Sequence, residues 1–168
     1  MQYRLSKCSH YCLGLFITAE ESNAATFATA RPVDSHHPER KSVLIAHIIA
    51  TKTTNTTIQN DDLELPYDPP RENETRGHKE HGRTIVIQSM SVLPEYRRIG
   101  AGSSLVREYL ERMARAHAAD VVAAFAGVEC SQFYQHRGLG FKSGLKIRVF
   151  GEEWTESRMD LATVREFS

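Results

Sequence analysis

Between Arg83 and Val128 the chain reads as apolar strand, amphipathic helix, apolar strand, and few architectures accept that order. Ile85, Val86 and Ile87 mark a strand over Arg83 to Val92 that Pro94 ends. From Gly102 to His117, Leu105, Val106, Tyr109, Leu110 and Met113 recur at helical spacing, with Arg107, Glu108, Glu111 and Arg112 on the other side. Val121 to Val128 is the second strand. A helix with one apolar face must cover a sheet, and a right-handed crossover through it would make the two strands parallel. The expectation is an α/β fold with a central mixed sheet flanked by helices. A chain of 168 residues with 40% apolar content fits one domain, residues 1–168.

The flanks add strands at Cys12 to Thr18, Thr26 to Arg31 and Ser42 to Lys52, with Pro32 to Lys41 as a turn. A short helix over Ser131 to His136 and closing strands over Phe141 to Phe150 and Ser157 to Val164 follow. Thr53 to Gly82 is rich in Asn, Thr, Asp, Glu and Pro and reads as a long polar loop of about thirty residues, a length usually functional or disordered.

Twenty-one basic residues balance 21 acidic ones, so no global field recruits nucleic acid or an anionic membrane. No run of apolar residues is long enough to span a bilayer. Arg4 and Lys7 before the short apolar stretch Tyr11 to Thr18 imitate a secretion signal, but Ala19-Glu20-Glu21 is a poor cleavage context. Cys8, Cys12 and Cys130 form no even disulfide framework and no zinc-ligand set, so reduced thiols, a cytoplasmic location and no metal are expected. The expected state is a monomer or weak dimer.

The chemistry centres on Val92-Leu93-Pro94-Glu95-Tyr96-Arg97-Arg98-Ile99-Gly100-Ala101-Gly102-Ser103, between the buried strand and the strong helix. Two glycines at a helix start let the backbone approach a ligand, and the first-turn amides, lacking helical acceptors, converge on it with the positive end of the helix dipole. That is a phosphate cradle. No Lys-Ser or Lys-Thr follows, as a Walker loop requires, and the third glycine of a dinucleotide fingerprint is absent.

The string Arg97 to Gly102 resembles the R/Q-x-x-G-x-G/A signature of the GNAT superfamily of acetyl-CoA-dependent N-acetyltransferases. Ser89 to Arg98 is similar to that superfamily's strand with V-x-P-x-Y-R-R, and Phe133-Tyr134-Gln135-His136 with Gly140-Phe141 to its F-Y-x-x-x-G-F element. The tail, Phe150-Gly151-Glu152-Glu153-Trp154 and then Met159-Asp160-Leu161, resembles fungal serotonin (arylalkylamine) and polyamine acetyltransferase-like proteins. The resemblance implies that the backbone of Met90, Ser91 and Val92 holds the pantetheine arm, with the strand splayed by a bulge near Ser89 to Ser91. It implies further that Arg97, Arg98, Ile99, Gly100, Ala101, Gly102 and Ser103 form the pyrophosphate site, and that Tyr134 sits near the thioester sulfur. It begins at about the second strand of the family pattern, so the leading strand and helices that wall the amine pocket are expected to be missing and an apolar sheet face left open.

An alkylamine of lysine-like pKa is neutral in roughly one molecule in a few thousand at pH 7, so the site must remove a proton before nitrogen attacks. Tyr134 is the candidate acid for the departing thiolate, and the Met90 amide for polarising the carbonyl. Histidines of the arylalkylamine enzymes are replaced at the matching positions by Val86 and Gln88. Gln88 cannot take a proton but can hold a relaying water; His78 and His81 are alternatives, while His47 reads as structural.

The leading expectation is therefore transfer of acetyl from acetyl-CoA to a small primary amine, arylalkylamine or polyamine, with Asp61, Asp62, Glu64 and Asp68 as a possible attraction for a polycation. The alternatives are a catalytically weak acyl-CoA-binding module and an acetyltransferase of protein lysines or N-termini.

Overall fold

The computed structural model describes residues 2–20, 31–32, 36, 40–135, 138–142 and 144–165. Helix α1 (Gln2–Lys7) and a single 3-10 turn lead into β1 (Leu13–Glu20). A two-residue β2 (Arg31–Pro32) and the long β3 (Arg40–Thr53) follow, then a four-residue α2 (Asn60–Leu63) and β4 (Thr84–Val92). Helix α3 (Ala101–Arg115), β5 (Val121–Ala126), α4 (Val128–Gln135), β6 (Lys146–Val149), β7 (Glu152–Asp160) and α5 (Leu161–Arg165) complete the order. The expected strand at Thr26 to Arg31 lies outside the described residues apart from Arg31.

The strands run β1-β3-β4-β5-β7-β6 across one sheet, with β2 also on β3. Among the described strands only β4 and β5 pair in parallel, across α3, as the crossover requires; the other described pairs are antiparallel. The sheet is thus mixed, and α3 lies on it through Leu105, Val106, Tyr109, Leu110 and Met113. Burying such side chains stabilises by roughly 1.5–3 kcal/mol each. Tyr109 is fully buried, and its hydroxyl donates to the Tyr11 carbonyl at 3.0 Å, tying α3 to the turn before β1. Tyr109→Ala is expected to cost about 3–5 kcal/mol in urea denaturation, and Tyr109→Phe, which keeps the ring, about 1 kcal/mol.

Among the described residues, the opposite face is covered over part of its width. Ile58 and Leu63 pack there on Val86, Ala123 and Val149, beside Trp154 and Phe125. The polar stretch 53–82 is therefore an ordered cover. Buried Asp62 anchors it, accepting from the Gln59 amide at 2.8 Å, the Asn55 side chain at 3.0 Å and the Thr53 hydroxyl. Arg76 bonds Glu64 at 2.9 Å and Glu74 at 3.3 Å, and the guanidiniums of Arg71 and Arg76 both lie 3.3 Å from the Tyr67 ring centre. Composition alone reported polarity there and missed that the polar groups satisfy one another.

The C-terminal end departs from expectation. Phe150 and Gly151 have φ of 51° and 83°, the paired left-handed conformations of a tight hairpin, so β6 turns directly into β7. Phe141, Lys142, Gly144 and Leu145 join no named strand beyond an isolated Lys142 bridge to Arg158. The predicted strand over Ser157 to Val164 stops at Asp160, whose carboxylate accepts from the Ala162 amide at 2.8 Å and starts α5.

Candidate active site

Strand β4 loses one of its two partners halfway along. Its parallel ladder with β5 runs from Thr84↔Val121 to Ile87↔Ala124 and ends there. On the other side, Ile49 pairs with Ser89 and Ala50 with Ile87, so Gln88 is the extra residue of a bulge. The bulge lies one residue before the expected Ser89 to Ser91. It bends β4 away from β5 and opens a cleft along Gln88 to Val92.

Which backbone groups face that cleft follows from the ladder. The Leu93 amide donates to Ile45 on β3 at 2.8 Å, and antiparallel pairing alternates. By that alternation Ser91 also turns its amide and carbonyl to β3, while Met90 and Val92 turn theirs to the open edge. Of the three residues expected to hold an extended arm, Met90 presents its amide and carbonyl and Val92 its amide, the Val92 carbonyl being taken by Arg97, while Ser91 belongs to the β3 ladder.

At the end of the cleft the chain turns through Arg98 and Gly100, with φ of 62° and 90°. Gly100 is the N-cap of α3, and its carbonyl accepts the Ser104 amide at 2.9 Å. No acceptor among the described residues meets the amides of Ile99, Gly100, Ala101, Gly102 or Ser103. A Cβ on Gly100 would meet nothing within 4 Å, so the space beside Gly100 is open. Gly102 is different in kind: a Cβ there would lie 3.1 Å from Met90 Cε and 3.4 Å from Val92 Cγ2, so its bareness lets the helix start rest against β4. Arg97 is tied back, its Nε donating to the Val92 carbonyl at 3.0 Å, whereas Ile99 is 71% exposed. Five open amides at the positive end of a fifteen-residue helix are suited to an anion.

Tyr134 on α4 reaches the same cleft. Its ring is wedged between Phe133 and Phe141, with centroids 5.2 and 5.3 Å away. Its hydroxyl donates to Met90 Sδ at 3.6 Å. Burial, with a smaller contribution from Cys130, pushes the phenol up to about 12. A thioether is a weak acceptor, so this hydroxyl is available to a stronger one.

Gln88 is not brought to Tyr134. Its side-chain nitrogen donates to Thr51 Oγ1 at 2.9 Å and to the Asp62 carbonyl at 2.7 Å, on the face covered by residues 53–63. Tyr134 and the Met90 side chain belong to the α3 face. The bulge and the Asp62 anchor explain Gln88 as a clamp between β4 and the ordered cover. His78 is likewise used: Nδ1 accepts the Lys52 amide at 3.0 Å and Nε2 pairs with Glu80 at 3.0 Å. Lys52 stands opposite Ile85, about 10 Å back along β4 from the cleft at 3.3 Å per residue. Three of the acidic side chains expected to draw a polycation are engaged, Asp62 and Glu64 as above and Asp61 with the Thr75 hydroxyl at 2.6 Å.

His47 was expected to be structural. It stands opposite Ser91 on β3, and its Nε2 lies 3.2 Å from Ser89 Oγ, directly after the bulge. The two residues are 42 apart in sequence. Apolar neighbours mask the histidine, and only the β3–β4 register reveals its partner.

A family model described as "Acetyltransferase (GNAT) family" matches residues 12–141, more than half of the chain. A search of the curated proteins found no match. Among solved structures, the loading GNATL domain of CurA from Lyngbya majuscula aligns at 13% identity and TM-score 0.53, over 72% of this chain and 73% of that one. The NatB acetyltransferase complex bound to CoA and MES aligns at 13% identity and TM-score 0.53, over 95% and 78%. The GphF GNAT-like decarboxylase in complex with isobutyryl-CoA aligns at 13% identity and TM-score 0.51, over 88% and 99%. At such identities the likeness is one of fold, and it agrees with the splayed mixed sheet described above. With the family match across the strand, the glycine turn and the helix, the chain belongs to the GNAT acetyltransferase family.

Proposed function

We propose that this protein transfers acetyl from acetyl-CoA to a small primary amine, with an arylalkylamine favoured over a polyamine. The observation that carries the reading is the row of open amides from Ile99 to Ser103, at the end of a cleft where β4 has left β5. The residues fit the co-substrate: a diphosphate suits the amides, and an extended amide-bearing arm suits the polar backbone of Met90 and Val92. That the related GphF and NatB structures hold isobutyryl-CoA and CoA supports the same ligand class here. Arg98 and the helix dipole add positive potential, while Arg97 fixes the turn through Val92.

Within this reading the Met90 amide polarises the thioester carbonyl, and Tyr134 donates a hydrogen bond to the sulfur as it takes on charge. The phenol already points at a divalent sulfur, that of Met90. Attack by the amine nitrogen on the carbonyl forms the C–N bond, the C–S bond breaks, and the thiolate leaves. Glu64 is ion-paired with Arg76 and Asp62 is buried within the cover, which weakens the case for a polycation.

Isothermal titration with coenzyme A and acetyl-CoA, together with thiol release on tryptamine and on spermine, tests the reading. Cofactor binding with turnover of tryptamine above spermine is the expected result. Binding without turnover of any amine would replace it with an acyl-CoA-binding module, and absence of binding would overturn the site itself.

A further inference from the structure

Among the described residues, 53–63 cover the sheet face opposite α3 over β4, β5, β6 and β7. Over β1 and β3 there is a cavity of about 240 Å³ whose lining includes Leu5, Cys12, Phe16, Leu44, His47 and Ile49. Leu5 and Phe16 are 48% and 56% exposed, large apolar side chains at the mouth of one groove. Gly14 stands directly opposite His47 across β1 and β3, and a Cβ there would lie 2.7 Å from the Phe16 ring and 2.9 Å from Leu44. The missing side chain lets that ring and that methyl group close over the strand beside the imidazole.

His47 is the only described lining residue with a basic nitrogen, and it connects this groove to the cleft. Its Nε2 lies 3.2 Å from Ser89 Oγ, and Ser89 is the first residue of β4 beyond the Gln88 bulge, where the β5 ladder has already ended. The bulge places Gln88 and Ser89 toward the same face, away from Tyr134. Gln88 is occupied by Thr51 and Asp62, and of the two hydroxyls on this face, Ser89 and Ser91, it is Ser89 that lies within hydrogen-bond distance of His47.

We infer that Ser89 and His47 form the proton path for the acceptor amine, whose uncharged apolar arm lies in the groove between β1 and β3. The inference rests on the acetyltransferase reading and assigns to it the base that Val86 and Gln88 cannot supply. The ammonium of the acceptor gives a proton to Ser89 Oγ as the Ser89 hydroxyl gives its own to His47 Nε2, so the amine becomes neutral and the imidazole becomes imidazolium. The imidazolium then releases its proton to solvent through the open groove. The path requires Nε2 to be unprotonated at rest. Burial holds the imidazole below its ordinary value, so at neutral pH it is unprotonated. Transfer from the more basic amine is uphill and is drawn forward as the imidazolium loses its proton to solvent. Among the groups around it, Ser89 and Ser91 on β4 carry no charge, and on β1's side the Cys12 thiol is raised by its own burial and stays protonated. A groove without described charged lining favours a monoamine with an aromatic or aliphatic arm.

The test uses His47→Gln and Ser89→Ala, with acetyl-CoA titration of each as the control for an intact fold and cradle. Both variants are expected to bind acetyl-CoA as the parent does and to lose about a hundredfold in kcat/KM for tryptamine at pH 7. The loss is expected to shrink below about tenfold near pH 10, where the amine neutralises itself. Phe16→Ala should raise KM for tryptamine with kcat little changed. If the parent acetylates tryptamine and His47→Gln matches it at pH 7, the proton path fails while the acetyltransferase reading stands. If the parent binds coenzyme A yet acetylates no amine, both fail together.

Discussion

Gly100→Asp is expected to remove coenzyme A binding, a loss of at least a hundredfold in affinity, while lowering the unfolding midpoint by only about 2–8 °C. Gly100 holds φ of 90°, and a side chain there meets nothing within 4 Å, so the fold offers it room. Aspartate tolerates the left-handed region better than most residues, at a backbone cost of about 1–2 kcal/mol. The new carboxylate would stand in the space the open amides face and accept their hydrogen bonds in place of the diphosphate. Two or three charge-assisted bonds at roughly 1.5–3 kcal/mol each account for the lost affinity. Gly100→Asn, equal in bulk and uncharged, separates occupancy from repulsion. It should lose about tenfold less, because like charges near 4 Å repel by about 1 kcal/mol in water and more as the site is desolvated.

Tyr134→Phe is expected to leave acetyl-CoA affinity and stability nearly unchanged and to lower kcat about a hundredfold. The ring stays packed on Phe133 and Phe141, and the only described partner the hydroxyl loses is a thioether. A phenol pushed up to about 12 remains protonated through the whole assay range, so no pH limb should be traceable to it. Against an ordinary thiol near 8.5, full proton transfer would be uphill by about 5 kcal/mol, a gap that shrinks as the same burial raises the thiol. The hydroxyl therefore acts by hydrogen bonding the departing thiolate, with the proton completing its transfer from solvent. Pre-steady-state thiol release, measured apart from product dissociation, would show whether the chemical step carries the loss.

The central strand, the glycine turn and α3 were legible because each is a local signal. Apolar runs, Pro94, two glycines and a 3.6-residue stripe all lie within about 35 residues, and the parallel pairing of β4 with β5 follows from a chirality rule. What stayed hidden depends on partners far away in sequence. Gln88 could be named as a replaced base, but not as a clamp, because Thr51 and the Asp62 carbonyl are 37 and 26 residues distant. The same holds for His47 and Ser89. Polarity between Thr53 and Gly82 concealed an internally bonded cover, since composition does not show which donors find which acceptors. At the C-terminus, a Gly and an Asp did carry readable signals for the hairpin at Phe150-Gly151 and the cap at Asp160. The β-branched and aromatic residues around them obscured both.

The measurement that bears most directly on the site is a titration of the backbone amide resonances of Ile99 to Ser103, first with coenzyme A and then with pantetheine, which has the arm but no diphosphate. Coenzyme A should move the five amides together and saturably, with Gly100 and Gly102 among the largest shifts, while pantetheine moves Met90 and Val92 and leaves the helix start in place. Coenzyme A binding that leaves the Ile99 to Ser103 amides unmoved, or equal shifts there with pantetheine, would contradict the assignment of the open helix start to a diphosphate.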